Sequence, residues 1–308
     1  HAIGADKRRA GQALEPRPAH FPAKAKSCIF LLMNGAPSQV DTFDYKPELE
    51  KHAGKSLPEG KKYINSGNRK VGFLTPNFRP FKPGGESGLL VSDYFPNVRK
   101  HADKLAVIKS CHADSHAHGS ALVAMNTGST LIGRPSVGSW SVYGLGTENE
   151  NLPGFVSIGP SMGNGGPRNY SNAFLPAAYQ GTPLGRAGIP AKGATIKNIT
   201  APGVDPKEQQ QQFELLRKIN TEQAKRRPGD DELESVIGSF ELAWRMQNNA
   251  PGILDFSQED SKTLEMYGIN QKPTDNFGRY CLMARRLSEA GVRYIQVNYT
   301  DNGNNPSW

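Results

Sequence analysis

SCIFLLMNGAPSQVDTFDYKP, residues 27–47, opens as an unbroken apolar run and stops abruptly in small and polar residues with two aspartates. Cys28 through Met33 show no polar alternation, the pattern of a strand buried on both faces of a parallel sheet. In open α/β sheets ligands collect beyond the carboxyl ends of the strands. Asn34, Gly35, Ser38, Gln39, Asp41 and Asp44 sit just past this one and become site candidates. Asp41 and Asp44 are the first candidate metal ligands, and Asn34 is a candidate substrate contact.

Working outward, residues 105–110, LAVIKS, form a second apolar run, predicted as a buried strand after a helix over about 93–101. The block CHADSHAHGSALVAMNTGS (111–129) follows its end as Asn34 to Asp44 follow the first, so in a parallel sheet both blocks can meet at one edge. Three of the seven histidines, His112, His116 and His118, lie within this block around Asp114. Neutral imidazole and carboxylate suit zinc, iron or manganese. His112 and His116 are four apart, a spacing that shares one helix face, although the block begins as a loop and turns helical near Gly119. The plainer reading is a polar strand-to-helix turn in which His112 bonds locally. The density of titratable groups favours metal or substrate contact for at least one of the three.

Residues 133–156 read as a glycine-rich loop with short strands and three aromatic residues, Trp140, Tyr143 and Phe155. Arg134 suits an anionic ester through its planar fork, or equally pins the loop by a salt bridge or carbonyl contact. GPSMGNGGPRNY (159–170) lacks the lysine and hydroxyl of a P-loop and reads as a substrate-side loop without nucleotide binding. Between the two site blocks lie a short helical piece after Pro47, broken by Gly54 and Pro58, and a loop or edge hairpin over 63–88 whose best strand is 71–74.

From Gly203 the pattern becomes helical, with a hairpin at about 205–250. Asp205-Pro206 starts its first helix, and Phe213, Leu216 and Ile219 keep the spacing up to the break at 227–229. Leu233, Val236, Ile237, Phe240, Ala243 and Trp244 stripe the second, ended by Asn249, Pro251 and Gly252 and predicted to pack as core. A short helix over 257–267 precedes another that turns Phe277, Cys281, Ala284 and Leu287 inward and stops at Gly291. Residues 292–297 are a further strand whose end faces the site.

A chain of 308 residues is long enough for one large α/β domain or two smaller ones. Its 36% hydrophobic content with 33 Gly and 23 Pro predicts a loop-heavy surface around a compact sheet. The net charge of +8 is uneven: Lys7, Arg8, Arg9, Arg17, Lys24 and Lys26 against Asp6 and Glu15 place half of the excess in residues 1–26. No aromatic-interleaved basic patch follows, so a solvated basic leader is read and nucleic acid is not a predicted partner. Three distant cysteines imply neither a zinc nor a disulfide framework. No apolar stretch reaches the length of a membrane span.

Four blocks, NGAPSQVDTFDYKP (34–47), HADSHAHGSALVAMNTGS (112–129), GRPSVGSWSVYGLGTENENLPGFV (133–156) and FGRYCLMARRLSEAGVRYIQV (277–297), resemble in this order the bacterial family called domain of unknown function 1501. That family's opening motif is close to GGPSQ-x-D-T-F-D-x-K-P. The family is similar to a branch of the alkaline phosphatase and sulfatase superfamily, whose members hydrolyse phosphate or sulfate esters at a metal centre. The resemblance therefore implies a doubly wound, mostly parallel sheet with helices on both faces over residues 27–308. It also implies a divalent metal (zinc, manganese or calcium) and a small-molecule or glycan ester as substrate. On this reading Asp41 and His112 bind metal, Arg134, Asn34 and His116 contact substrate, and His118 and Ser120 stand at the catalytic position.

In sulfatase relatives the nucleophile opens a helix that ends in a Thr-Gly pair. Thr127-Gly128 match that pair, and the same spacing counted back reaches His118. Histidine there is a departure from the cysteine of sulfatases and the serine or threonine of phosphatases. Ser115 and Ser120 are the nearby hydroxyls, and the plainer role of Ser120 is that of an early helix residue bonding backbone. The departure opens an alternative: a non-catalytic exported binding protein that keeps the fold without a working nucleophile.

Family members begin with an export signal and a Pro/Ala/Lys-rich spacer, which residues 1–26 resemble, so a periplasmic or secreted protein is expected. The family's later Asp-x-His motif and Gly-Glu-Phe-Gly-Arg-Thr block are not in these residues. The sheet and ligand set are accordingly expected to be incomplete at the C-terminus, and the chain alone to be a poor hydrolase.

Overall fold

The computed structural model describes residues 14–18, 21–57, 72–196, 203–228 and 230–299. The strands are β1 (Cys28–Met33), β2 (Phe81–Gly84), β3 (Leu89–Ser92), β4 (Phe155–Ile158), β5 (Thr182–Leu184) and β6 (Tyr294–Tyr299). The helices are α1 (Pro47–Lys51), α2 (Pro96–Arg99), α3 (His118–Thr127), α4 (Val137–Leu145), α5 (Pro206–Arg226), α6 (Asp231–Leu254), α7 (Ser261–Met266) and α8 (Asp275–Glu289). The chain divides into two compact units, one of residues 35–116 and one of residues up to 34 with those from 117 onward.

The larger unit is built on a parallel sheet in the order β1-β6-β4-β5. Cys28 lies opposite Tyr294 and Met33 opposite Tyr299, while Phe155 lies opposite Tyr294 on the other side of β6. Successive residues of β4 and β6 point to opposite faces. Val156, Ile158, Ile295 and Val297 meet Met246 and Ala250 of α6 and Tyr280, Met283 and Leu287 of α8. Phe155 and Tyr294 instead join Val142 of α4 with Leu175 and Tyr179. Helices thus cover both faces, and each fully buried aliphatic chain contributes about 1.5–3 kcal/mol relative to exposure.

The predicted burial of the first strand on both faces is not what the structure has. β1 is the outermost strand, and Ile29 and Leu31 are 41% and 51% exposed because no described strand pairs with its outer edge. The strands buried on both faces are β6, flanked by β1 and β4, and β4, flanked by β6 and β5. The α8 prediction holds for Ala284 and Leu287, which Tyr280 and Met283 join at i, i+3, i+4, i+7, while Cys281 is only partly buried. Gly291, with φ 91°, follows the end of α8 as predicted.

Residues 133–156 are not the predicted loop. Ser136 caps a helix, its side chain accepting from the Ser139 N–H, and α4 runs nine residues. Gly138 does not break α4: a Cβ there would lie 2.6 Å from the Phe155 ring, so the missing side chain is what lets the helix settle on β4. The described part of the leader lies along α4, with Arg17 N–H donating to Leu145 O at 3.0 Å and its guanidinium over Tyr143 at 5.0 Å.

Asp205 caps α5 as predicted, accepting from the Lys207 and Glu208 N–H groups. α5 and α6 form the predicted hairpin, joined by Phe213 and Trp244 stacked at 4.8 Å. The predicted core stripe of α6 is corrected: Val236 and Phe240 are exposed, and the face that packs is Leu242, Met246, Ala250 and Ile253. α6 also continues through Pro251 to Leu254. Arg286 accounts for this, donating from Nε to Ile253 O at 2.6 Å and from Nη2 to Gly252 O at 3.0 Å, so carbonyls of the last turn are satisfied from α8.

In the unit of residues 35–116, β2 and β3 pair antiparallel, Phe81 opposite Ser92. Asp103 fastens their turn by accepting from the Glu86 and Ser87 N–H groups at 3.1 and 2.8 Å. The hairpin lies beyond the predicted strand: residues 72–74 have no strand, and Val71 is outside the described residues. The helix predicted over 93–101 shortens to α2, followed by a 3₁₀ turn at Ala102–Lys104. Residues 105–110 form no strand, and Leu105 and Ile108 are exposed. Among the described residues no helix is long and apolar enough to cross a membrane.

Candidate functional site

The predicted site residues divide between the two units. Asp41, His112 and His116 belong to residues 35–116, and Asn34, His118, Ser120 and Arg134 to the sheet unit.

Asp41 ends a 3₁₀ turn, Gln39–Asp41, in which its own N–H donates to Ser38 O at 3.2 Å. Its neighbour Asp44 is buried and ion-paired to Lys46 at 2.8 Å. His112 and His116 are exposed on irregular chain. Among the described residues no three His, Cys, Asp or Glu side chains come together in a way that could hold a metal ion.

In the sheet unit His118 is the first residue of α3. Ser120 Oγ donates to Ala117 O at 3.3 Å, the backbone bond expected of an early helix residue. Ala117, the N-cap, provides no side-chain cap, so the first turn carries partial positive charge that suits an anion. That turn lies against the loop leaving β4: a Cβ on Gly119 would be 3.8 Å from the Asn164 Cα. Deeper along α3, Val123 fills the space where a Cβ on Gly165 would stand, at 2.7 Å. Asn126 Nδ2 donates to Leu122 O at 2.8 Å, and Asn169 Nδ2 to Asn164 O at 3.0 Å. GNGG is therefore a packing surface for α3, with Asn164 itself left-handed at φ 46°. Arg134 is exposed between Gly133 and the α4 cap and has no ion pair with a described carboxylate.

Asn34 is the first residue after β1, its N–H donating to Tyr299 O at 3.2 Å, and it is 6% exposed. In the neighbouring strands lie Asn298, at the strand end expected to face the site, and Ser157 and Gln296, which the sequence did not single out. Gln296 Nε2 donates to Asn298 Oδ1 at 2.9 Å, and Asn298 Nδ2 donates to Ser157 Oγ at 3.0 Å and Ile158 O at 2.8 Å. Gln296, Asn298 and Ser157 are buried. The polar positions within YIQVNY were the available signal, since an otherwise apolar central strand has no reason to carry two amides. Tyr280 lies under Gly159 at the end of β4, where a Cβ would be 2.7 Å from its ring, and burial raises its phenol pKa. Burial pushes the Cys281 thiol up to about 11, so it stays protonated and unreactive at neutral pH.

Chemically, the carboxyl ends of β1, β4 and β6 thus hold neutral amides and a hydroxyl, and α3 adds a first turn carrying an imidazole and a second hydroxyl. No curated protein and no solved structure matches the chain. The family model described as protein of unknown function (DUF1501) matches residues 25–308, and the chain belongs to that family.

Proposed function

We propose that this protein is an exported hydrolase of phosphate or sulfate esters, of alkaline phosphatase-like type, working at the carboxyl edge of its parallel sheet on a small-molecule or glycan ester. The observation that supports the reading is the first turn of α3, with His118 and Ser120, set against the glycine-rich loop that leaves β4. A helix start beside a strand end is suited to an anionic group. In this proposal His118 and Ser120 are the reacting groups, Arg134 neutralises the anion, and His116 and Asn34 contact the rest of the substrate. Asp41 and His112 are the donors proposed for zinc, manganese or calcium. The described residues provide no set of three such donors, so they do not fit a complete metal centre and no step is drawn through one.

That incomplete set, together with a histidine at the nucleophile position, favours a second reading: an exported binding protein that keeps the fold without turnover. Turnover of aryl phosphates and aryl sulfates, with each metal in excess and metal content measured alongside, separates the two. The hydrolase reading expects turnover that falls roughly 100-fold or more in His118→Ala. Absence of turnover with every metal supports the binding protein.

A further inference from the structure

Neither Oδ1 nor Nδ2 of Asn34 has a hydrogen-bond partner, although the residue is more than nine-tenths buried. Buried amides are almost always satisfied, so one with both atoms idle requires a reason. Asn298 is engaged elsewhere, its Oδ1 accepting from Gln296 and both Nδ2 hydrogens committed to Ser157 and Ile158. Leu32 is opposite Asn298, so Asn34, two residues on, lies on the same sheet face one step nearer the carboxyl edge. At the same strand end, the Tyr299 carbonyl accepts the Asn34 N–H at 3.2 Å, while the Tyr299 ring turns to the opposite face, edge-on to Phe277.

We infer that Asn34 is a ligand-binding residue whose amide takes a hydroxyl of an uncharged, sugar-like part of the ligand. This rests on placing the site of the proposed hydrolase at the carboxyl edge of the sheet. A hydroxyl offers one donor and one acceptor, matching the two idle atoms. A phosphate or sulfate oxygen only accepts: it would satisfy Nδ2 and repel Oδ1.

The test is binding of uncharged methyl glycosides and of inorganic phosphate to the intact protein, wild type and Asn34→Leu, by calorimetry or ligand-observed NMR. The expected result is glycoside binding by the wild type, weakened at least about tenfold in Asn34→Leu, with phosphate binding unchanged. Failure of every glycoside to bind the wild type overturns the inference, and so does equal binding by the variant, which would leave the amide to an ordered water. Should Asn34→Leu not fold, Asn34→Asp keeps the shape and the acceptor while losing the donor, and undiminished glycoside binding by it is equally fatal. Glycoside binding without ester turnover would sink the hydrolase and leave this inference standing. Turnover without glycoside binding would do the reverse.

Discussion

Residues 28–33 and 105–110 are two apolar runs of equal length, each followed by a block of site candidates, and only the first is a strand. CIFLLM pairs with β6 along its whole length, Cys28 opposite Tyr294 through Met33 opposite Tyr299. LAVIKS has no described partner, and its Ile108 is 76% exposed. Local pattern qualifies a segment to be a strand; a ladder of backbone partners makes it one. The same rule grades strands within the sheet, since β6 has partners on both sides and β1 on one.

The largest expected effect tests that grading. Ile295→Ala, at a fully buried position of β6, should cost about 3 kcal/mol in urea unfolding. Leu31→Ala, on half-exposed β1, should cost less than about 1 kcal/mol. Equal losses would mean that β1 is covered in solution as fully as β6. Next in size is Gly138→Ala, which forces a methyl to within 2.6 Å of the Phe155 ring and should cost about 1–3 kcal/mol. A neutral result would show that α4 is not seated on β4. Trp244→Ala follows at about 1.5 kcal/mol, because Trp244 is only half-buried and its main contact is the stack on Phe213. A loss above about 3 kcal/mol would restore the predicted core role of that stripe.

These contrasts show what was legible in the sequence. Caps and stops are local chemistry, so Asp205 at the start of α5 and Gly291 after α8 were readable. The face of α8 was readable too, since its period carries its burial. Not legible was anything decided by a distant partner: the bare outer edge of β1, the exposure of Phe240, and the survival of α6 past Pro251 on the strength of Arg286. Residues 133–156 were misread as a glycine-rich loop because a glycine that breaks a helix and one that, like Gly138, admits a neighbour look alike in sequence. At the site, Asn34 was found from its place after an apolar run. Asn298 fell at the strand end expected to face the site, whereas Gln296 was missed because an amide inside a strand was read only as part of its length.

A pH series gives a smaller effect. Hydrogen bonds from Arg285 and then Arg286 hold the Glu259 pKa below the ordinary 4.5. A lowered carboxyl pKa stabilises the fold above the ordinary value, and that contribution is lost as pH falls through the folded-state value. Melting temperature should therefore begin to drop as pH falls below the ordinary 4.5 and keep dropping as the folded-state carboxylate is protonated. Glu259→Gln should flatten the drop, and an unchanged pH dependence would show that the arginine pair is not held in solution.

The smallest expected effect bears hardest on the comparison. Ile108→Ser replaces the most strand-like residue of LAVIKS at a position that is 76% exposed. A surface change with no buried contact to lose should stay within about 0.5 kcal/mol, and the serine should not alter the cooperativity of unfolding. An isoleucine buried in a sheet would instead lose both its transfer free energy and the packing around it, on the order of 2 kcal/mol or more. The two outcomes differ by several times the error of a denaturation curve, so one variant decides. Amide exchange at residues 105–110 provides an independent readout, since unpaired backbone exchanges quickly and a strand is protected. Slow exchange together with a large loss would mean that the run has found a ladder of its own. The contrast with CIFLLM would then lie in when each strand finds its partner and no longer in whether it does.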